Sequence, residues 1–443
     1  MLPAGPKGRP LVGSLPEFKR DMLGFFVASA RKYGDVVPMR VVNRRLVLLS
    51  HPDLIEEVLT VHARRTTKTA LLLTLRPVLG DGLLLSEGDT WLRQRRLMQP
   101  AFHRQRIAGY GDVMAAFANR GMAGWRDGET RDVHADMMEI TQAIVAKTLF
   151  DADVSGSAWD VGQAVHDLME DFSKRRLSLF RLPRFIPTPT RRRSRAAVTR
   201  LNDIVYGIIA ARRASGEDRG DLLSLLLAAR DADDGSRMND QQVRDEIMTL
   251  FLAGHETTAV ALSWTWHLLV QHPAAEAALV DELRTVLGGR LPTVADLPRL
   301  RYAEMVVTET MRLYPPVFSL TRRVAEPLQV GGHPIEPETS LVMSQWVVHR
   351  DPRWFDDPET FRPERWENDL AKRLPRYAYF PFGGGPRLCI GNTFALMEAT
   401  LLLATIAQRF RFTPAPGARV APMLSVTMRP AEGLAMRLSA RRS

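Results

Sequence analysis

Apolar positions recur at the three-and-four spacing of a helix face along most of this chain, and at the two-residue spacing of a strand only in short runs. The helical pattern covers 52–62, 108–124, 133–150, 161–173, 274–287 and 302–314, and returns from Ile390 to about Gln408. Its longest stretch is Asp240–Gln271, roughly 48 Å at 1.5 Å per residue, enough to cross a molecule of this size. Pro273 ends that stretch, and Pro315-Pro316 ends the later one at 302–314. Strand-like runs are confined to 36–50, broken at Asn43-Arg44-Arg45 as a hairpin would be, to short segments through Val348, and to the last residues. The proline- and glycine-rich opening, 2–10, packs only as an extended strap, and 71–85 is interrupted by Pro77, Gly80 and Gly82. The pattern predicts a mainly α protein with a smaller β-rich part.

Two places break the pattern. Residues 380–391 read Phe-Pro-Phe-Gly-Gly-Gly-Pro-Arg-Leu-Cys-Ile-Gly and hold the only cysteine. Three glycines and Pro386 cannot continue a helix or a central strand, so this is a loop. Ile390, Phe394, Met397 and Leu401 then fall at helical spacing, which puts Cys389 where a loop enters a helix N-terminus. The positive end of the helix dipole and Arg387 favour a thiolate there. A phosphate-binding loop is excluded because no Lys-Ser or Lys-Thr follows the glycines. The second break is Ala253-Gly254-His255-Glu256-Thr257-Thr258, near the middle of the long helix, where a glycine and paired threonines weaken the helix locally. It is not a zinc helix, since no second histidine follows His255 four residues later.

Composition narrows the picture further. Of 443 residues, 45% are hydrophobic and 25% charged, an ordinary globular balance. One cysteine excludes an intramolecular disulfide framework. No run reaches the roughly 20 apolar residues of a membrane span, and the N-terminus lacks the apolar core of a secretory signal, so a soluble, cytoplasmic protein is expected. A net charge of +10 admits a nucleic acid, a membrane surface or an acidic protein as partner.

The spacing Phe382, Gly385, Arg387, Cys389, Gly391 resembles the haem-binding signature of the cytochrome P450 family, and 253–258 resembles that family's oxygen-activation motif. Glu309 and Arg312, three apart on one helix face, resemble the family's paired residues, with Arg365 in the segment 361–366 as the third member of a structural ionic cluster. Trp91 and Arg95, four apart, resemble its propionate-binding pair, and Arg322 matches a further propionate arginine, with Arg323 as the competing register. The motifs follow the family's order along nearly the entire chain.

The resemblance implies a single domain, 1–443, holding haem b between the long helix and the cysteine-bearing helix. Cys389 would ligate iron; Ala253 and Gly254 would leave room for O₂; Glu256 and Thr257 would manage protons. The implied reaction is monooxygenation, by hydroxylation or epoxidation, of an apolar organic substrate, with Leu83, Leu84, Val317 and Phe318 as candidate pocket walls and the basic, proline-rich 174–195 as a lid. A haem peroxygenase, or a haem sensor or electron carrier, are the alternative classes. Too little chain follows the cysteine loop for a flavin or iron–sulfur segment, so a separate ferredoxin or flavodoxin is expected to supply electrons. Arg93, Arg96 and Arg104 would receive that acidic donor, which makes an acidic protein rather than a nucleic acid the partner of a monomer.

Overall fold

The computed structural model describes residues 2–151, 189–231 and 235–441. The chain divides into two compact units, each built from two separate stretches of sequence.

The first unit comprises Met1–Leu73 and Thr308–Cys389. Its frame is a five-stranded sheet in the order Val36–Val41, Arg44–Leu49, Ser340–Met343, Leu320–Val324, Thr66–Thr67. Arg44–Leu49 and Ser340–Met343 run parallel, with Val47 opposite Leu341, while the other pairs are antiparallel. The hairpin turn falls at Val42–Asn43, with Val42 at φ 56°, rather than at the expected arginines. Arg44 and Arg45 open the second strand instead, because at its exposed end their side chains stay in water while Val47 to Leu49 are buried. One face of the sheet packs Val47, Leu49, Val324, Leu341 and Met343 against Ile55, Val58 and Leu59, and against Tyr377 and Phe380. Each fully buried side chain of this kind contributes about 1.5–3 kcal/mol. The expected helix 52–62 is Pro52–Glu56 in α form followed by Glu57–Val61 in π form.

The second unit comprises Thr74–Val307 and Ile390–Ser443. Its axis is the helix Asp240–Gln271, opened by a reciprocal cap in which Asn239 and Gln242 each bind the other's backbone N–H through a side-chain oxygen. That helix packs against Val133–Phe150 and against Asn392–Ala407. It is buried from Val243 to Leu269 except at Ala253, Gly254, Thr257 and His267. A helix buried nearly all round is a core helix, and its few uncovered residues mark where something other than this packing faces it. A three-stranded sheet, Thr130–Asp132, Ala435–Ala440, Phe410–Pro414, and a hairpin, Pro422–Leu424 with Met428–Pro430, complete the unit.

The expected helix at 161–173 and residues 174–188 of the expected lid lie outside the described residues. Pro189 opens the helix Pro189–Ser215, so Arg191, Arg192, Arg193 and Arg195 are helical rather than part of a loop. Proline at the first helical position loses no hydrogen bond, which is why the helix starts there.

Candidate active site

The cysteine loop is held from within the first unit. His349, fully buried, accepts the Phe380 N–H at Nε2 (3.0 Å), and its ring lies against Tyr379 and Phe380. Burial lowers its pKa to about 3, so the ring stays neutral and keeps this acceptor. Gly383 and Gly385 have φ of +73° and +64°, the left-handed region where a Cβ is unwelcome. Space makes the same demand: a Cβ on Gly385 would sit 2.0 Å from the Leu59 carbonyl oxygen, and one on Gly384 would sit 2.2 Å from the Tyr377 ring. The Gly385 N–H donates to the Tyr377 hydroxyl (3.0 Å), and the Cys389 N–H donates to the Phe382 carbonyl (3.1 Å). The result is an exposed thiol on a loop whose backbone cannot relax. Phe382 and Arg387 beside it are half-buried. Gly391, at φ −94°, meets only Phe102 at ordinary contact distance, so neither backbone nor space requires glycine there.

Glu309, Arg312 and Arg365 come together as expected, all fully or nearly fully buried. Glu309 accepts from Arg312 (2.8 and 2.9 Å), Arg365 Nε (3.1 Å) and the Arg362 N–H (3.0 Å). A fifth donor, Trp366 Nε1 (2.9 Å), was not anticipated, although it stands next to Arg365 in sequence. Arg312 Nη1 reaches on to the carbonyls of His349 (2.8 Å) and Pro358 (2.6 Å), so the cluster bears on the residue that holds Phe380. Arg322 and Arg323 alternate faces along their strand. Arg323 is engaged by Glu338 (2.8 Å) and Thr67 (3.3 Å), and Arg322 Nη1 donates to the Thr321 carbonyl (3.1 Å). Phe318 is buried and Val317 half-buried.

In the second unit, the long helix stays continuous through 253–258. Thr257 Oγ1 donates to the Ala253 carbonyl (2.7 Å) and Thr258 Oγ1 to that of Gly254 (3.3 Å), while Thr141 from the neighbouring helix donates to the His255 carbonyl (3.0 Å). Ala253 is exposed and Thr257 half-buried on the open face. A Cβ on Gly254 would come 3.1 Å from Val145, so its small size also serves helix packing. Glu256 and Thr257 are not bonded to each other. Glu256 is buried and accepts from Thr427 Oγ1 (2.6 Å), and burial raises its pKa against the pull of that bond and of Arg429.

Trp91 and Arg95 share a face of Gly88–Met98 and are half-buried. Arg93, expected at a docking surface, is tied to Asp231 (3.0 Å) and Ser236 (2.7 Å), because its position on the helix turns it toward that segment. Arg96 is exposed. Asp245 and Glu246 of the long helix accept the N–H groups of Asp81 and Leu83 (2.9 Å each), and neither Gly80 nor Gly82 has room for a Cβ. This buries Leu83 in the protein core and leaves Leu84 half-buried.

An exposed thiol on this loop suits a cofactor iron that takes one thiolate ligand from the protein. Among the described residues no three His, Cys, Asp or Glu converge as a metal site. Comparison with known proteins agrees. Residues 3–436 match the Cytochrome P450 family. The chain is 40% identical to cyclooctatin synthase of Streptomyces melanosporofaciens, across 96% of this chain and 93% of that protein. It is 38% identical to cyclooctat-9-en-7-ol 5-monooxygenase of the same organism (93% and 90% covered), and 35% identical to pentalenene oxygenase of Streptomyces avermitilis (98% and 97%). The cytochrome P450DA heme domain superposes with a TM-score of 0.89 at 27% identity, covering 100% of this chain and 98% of that one. The chain therefore belongs to the cytochrome P450 family and is a haem-dependent monooxygenase.

Proposed function

We propose that this monooxygenase oxidises a cyclic terpenoid, an apolar alkene or alkenol, with Cys389 as the axial ligand and a separate acidic protein as electron donor. Relatives named for cyclooctat-9-en-7-ol and pentalenene support the substrate class. The observation that carries the site assignment is the exposed sole thiol on a loop locked by Gly383, Gly384 and Gly385. Haem, when bound, supplies the dioxygen chemistry.

The chain's own residues do the rest. Arg387, Arg322, Arg95 and Trp91 are the groups that would hold the propionates. Burial raises the Glu256 pKa above its ordinary value, which favours the protonated carboxyl and suits a general acid. Thr257, its hydroxyl parked on the Ala253 carbonyl, can turn the same O–H to the open side of the helix. Leu84 and Val317 offer partly uncovered apolar surface to a substrate. Exposed Arg96 suits an acidic donor, since complementary charge raises the rate of encounter.

The test is spectroscopic. The reduced carbon monoxide complex shows the red-shifted band of thiolate ligation, and Cys389→Ser loses it. A histidine-type spectrum from the wild-type protein overturns the ligand assignment. Cyclic alkenes and alkenols shift the haem spin state where straight-chain fatty acids do not; the reverse order of response rejects the substrate class.

A further inference from the structure

Glu256 is the acid of the long helix, yet its partner in the fold is a hydroxyl far away in sequence. Thr427 Oγ1 donates to Glu256 Oε1 at 2.6 Å, and both residues are buried, at 2% and 3% exposure. Thr427 sits between the strands Pro422–Leu424 and Met428–Pro430, where Leu424 pairs with Met428. The Ser425 N–H donates to the Thr427 carbonyl (2.9 Å), which tightens the turn. The hairpin is itself fastened to the long helix: Trp264 Nε1, two turns beyond Glu256, donates to the Met428 carbonyl at 2.7 Å. Trp264 is 1% exposed, so this bond is shielded from water. Arg429, the next hairpin residue, is half-buried and acts electrostatically on Glu256, and also on His134 of Val133–Phe150, whose Nδ1 lies 2.9 Å from Ser263 Oγ.

Two features separate this arrangement from incidental packing. A bond of 2.6 Å lies at the short end of the O–H···O range. Thr257, the neighbouring hydroxyl, is engaged with Ala253 and does not hold the carboxyl. The orientation of the Glu256 carboxyl is therefore set by Thr427.

We infer that Thr427 is the positioning residue of the proton-delivering acid, the hairpin acting as a clamp that holds Glu256 Oε1 and leaves the second carboxyl oxygen to exchange the proton. This rests on the reading of Glu256 as that acid. No electron or bond change occurs at Thr427; its hydroxyl keeps its own proton throughout.

The experiment compares Thr427→Val, Thr427→Ser and Glu256→Gln as haem-loaded enzymes, reading product formed per reductant consumed and, independently, the infrared C=O stretch of the protonated Glu256 carboxyl. That band is identified by its loss in Glu256→Gln. Thr427→Val, matched in shape, lowers coupling about tenfold, equivalent to about 1.4 kcal/mol, and shifts the carboxyl band. Thr427→Ser, which retains the hydroxyl, keeps both close to wild type. Wild-type coupling or an unmoved band in Thr427→Val overturns the inference, as does a loss of coupling in Thr427→Ser equal to that in Thr427→Val, since the methyl group would then be the active part. Full coupling in Glu256→Gln overturns the acid reading itself. Uncoupling in Glu256→Gln with normal Thr427→Val removes only the clamp.

Discussion

Replacing Glu309 by glutamine removes one negative charge from beneath two buried guanidinium groups and changes almost nothing in volume. Wild-type Glu309 receives five hydrogen bonds, from Arg312 twice, Arg362, Arg365 and Trp366. Glutamine has one oxygen and one donating NH₂ group. Whichever way it turns, it sets donor against donor on one side, at Arg312 Nε and Trp366 or at Arg312 Nη2, Arg362 and Arg365. Breaking a buried ion pair by removing one partner costs about 3–5 kcal/mol, and an unsatisfied buried donor about 1–3 more. Against a total stability of about 5–15 kcal/mol this is a large share. With a urea m-value of about 3 kcal/mol/M, the unfolding midpoint falls by at least about 1 M. Because Arg312 also braces the His349 carbonyl, and His349 holds Phe380, the folded variant also gives a smaller thiolate-type carbon monoxide band per mole of protein. Glu304→Gln, an exposed position on the same helix, is the control and leaves both readings unchanged. A Glu309→Gln protein with the wild-type midpoint refutes the reasoning, because the cluster would then contribute nothing that its neighbours cannot replace.

Four further outcomes follow from named contacts. Glu398, fully buried on Asn392–Ala407 with neither carboxyl oxygen hydrogen-bonded, has its pKa raised from 4.5 to about 8 by burial. The folded state thus keeps a proton that the unfolded chain releases, and stability is lost as pH rises from about 4.5 to about 8; Glu398→Gln removes this slope, gaining about 3 kcal/mol on wild type between pH 5 and 8 by urea unfolding. A constant gap across that range denies it; buried His349 and His255 titrate equally in both proteins and cancel. Gly385→Ala meets both a positive φ and the Leu59 carbonyl, so the protein yields less than half the wild-type haem content on purification, whereas normal loading shows that the loop has slack. Thr257→Ala keeps fold and haem but loses coupling between reductant and product by a factor on the order of 100, the lower range for a general-acid step; unchanged coupling moves that role elsewhere. Arg96→Glu slows reduction by an acidic ferredoxin, with the gap closing as salt shortens the screening length to about 3 Å at 1 M; equal rates at low salt detach Arg96 from the donor.

Much of this could be read in advance because it depends on local pattern. The long helix begins and ends where its apolar spacing, Asn239 cap and Pro273 dictate. The cysteine loop was legible because three glycines and a proline cannot continue a helix or a central strand. Contacts between distant parts of the chain were not. Which glycines are indispensable depends on Leu59 and Tyr377, whose approach to 384–385 has no trace in the loop itself. The close approach of Val145 to Gly254 was not legible because a small residue carries no label for which side its missing atoms face. The Thr427 bond spans 171 positions, and a lone threonine in a short strand pattern carries no signal. The Arg93 ion pair was not legible because its anion, Asp231, lies in a segment without periodicity. Trp366 was available next to Arg365, but an indole reads as core unless its N–H is assigned a partner.

The interleaving of the two units has a consequence for how the protein is made. The segment Met1–Leu73 belongs with Thr308–Cys389, and the whole of Thr74–Val307 is synthesised between them. At about 5–20 residues per second that interval lasts on the order of 10 to 50 seconds. During it, Arg44–Leu49 can pair with Val36–Val41 but not with Ser340–Met343, so the open side of a hydrophobic strand waits on the ribosome without its neighbour. Exposed strand edges of this kind recruit other chains. The yield of this enzyme in a host cell should therefore respond to translation speed and to chaperone supply more than to the stability of the finished fold.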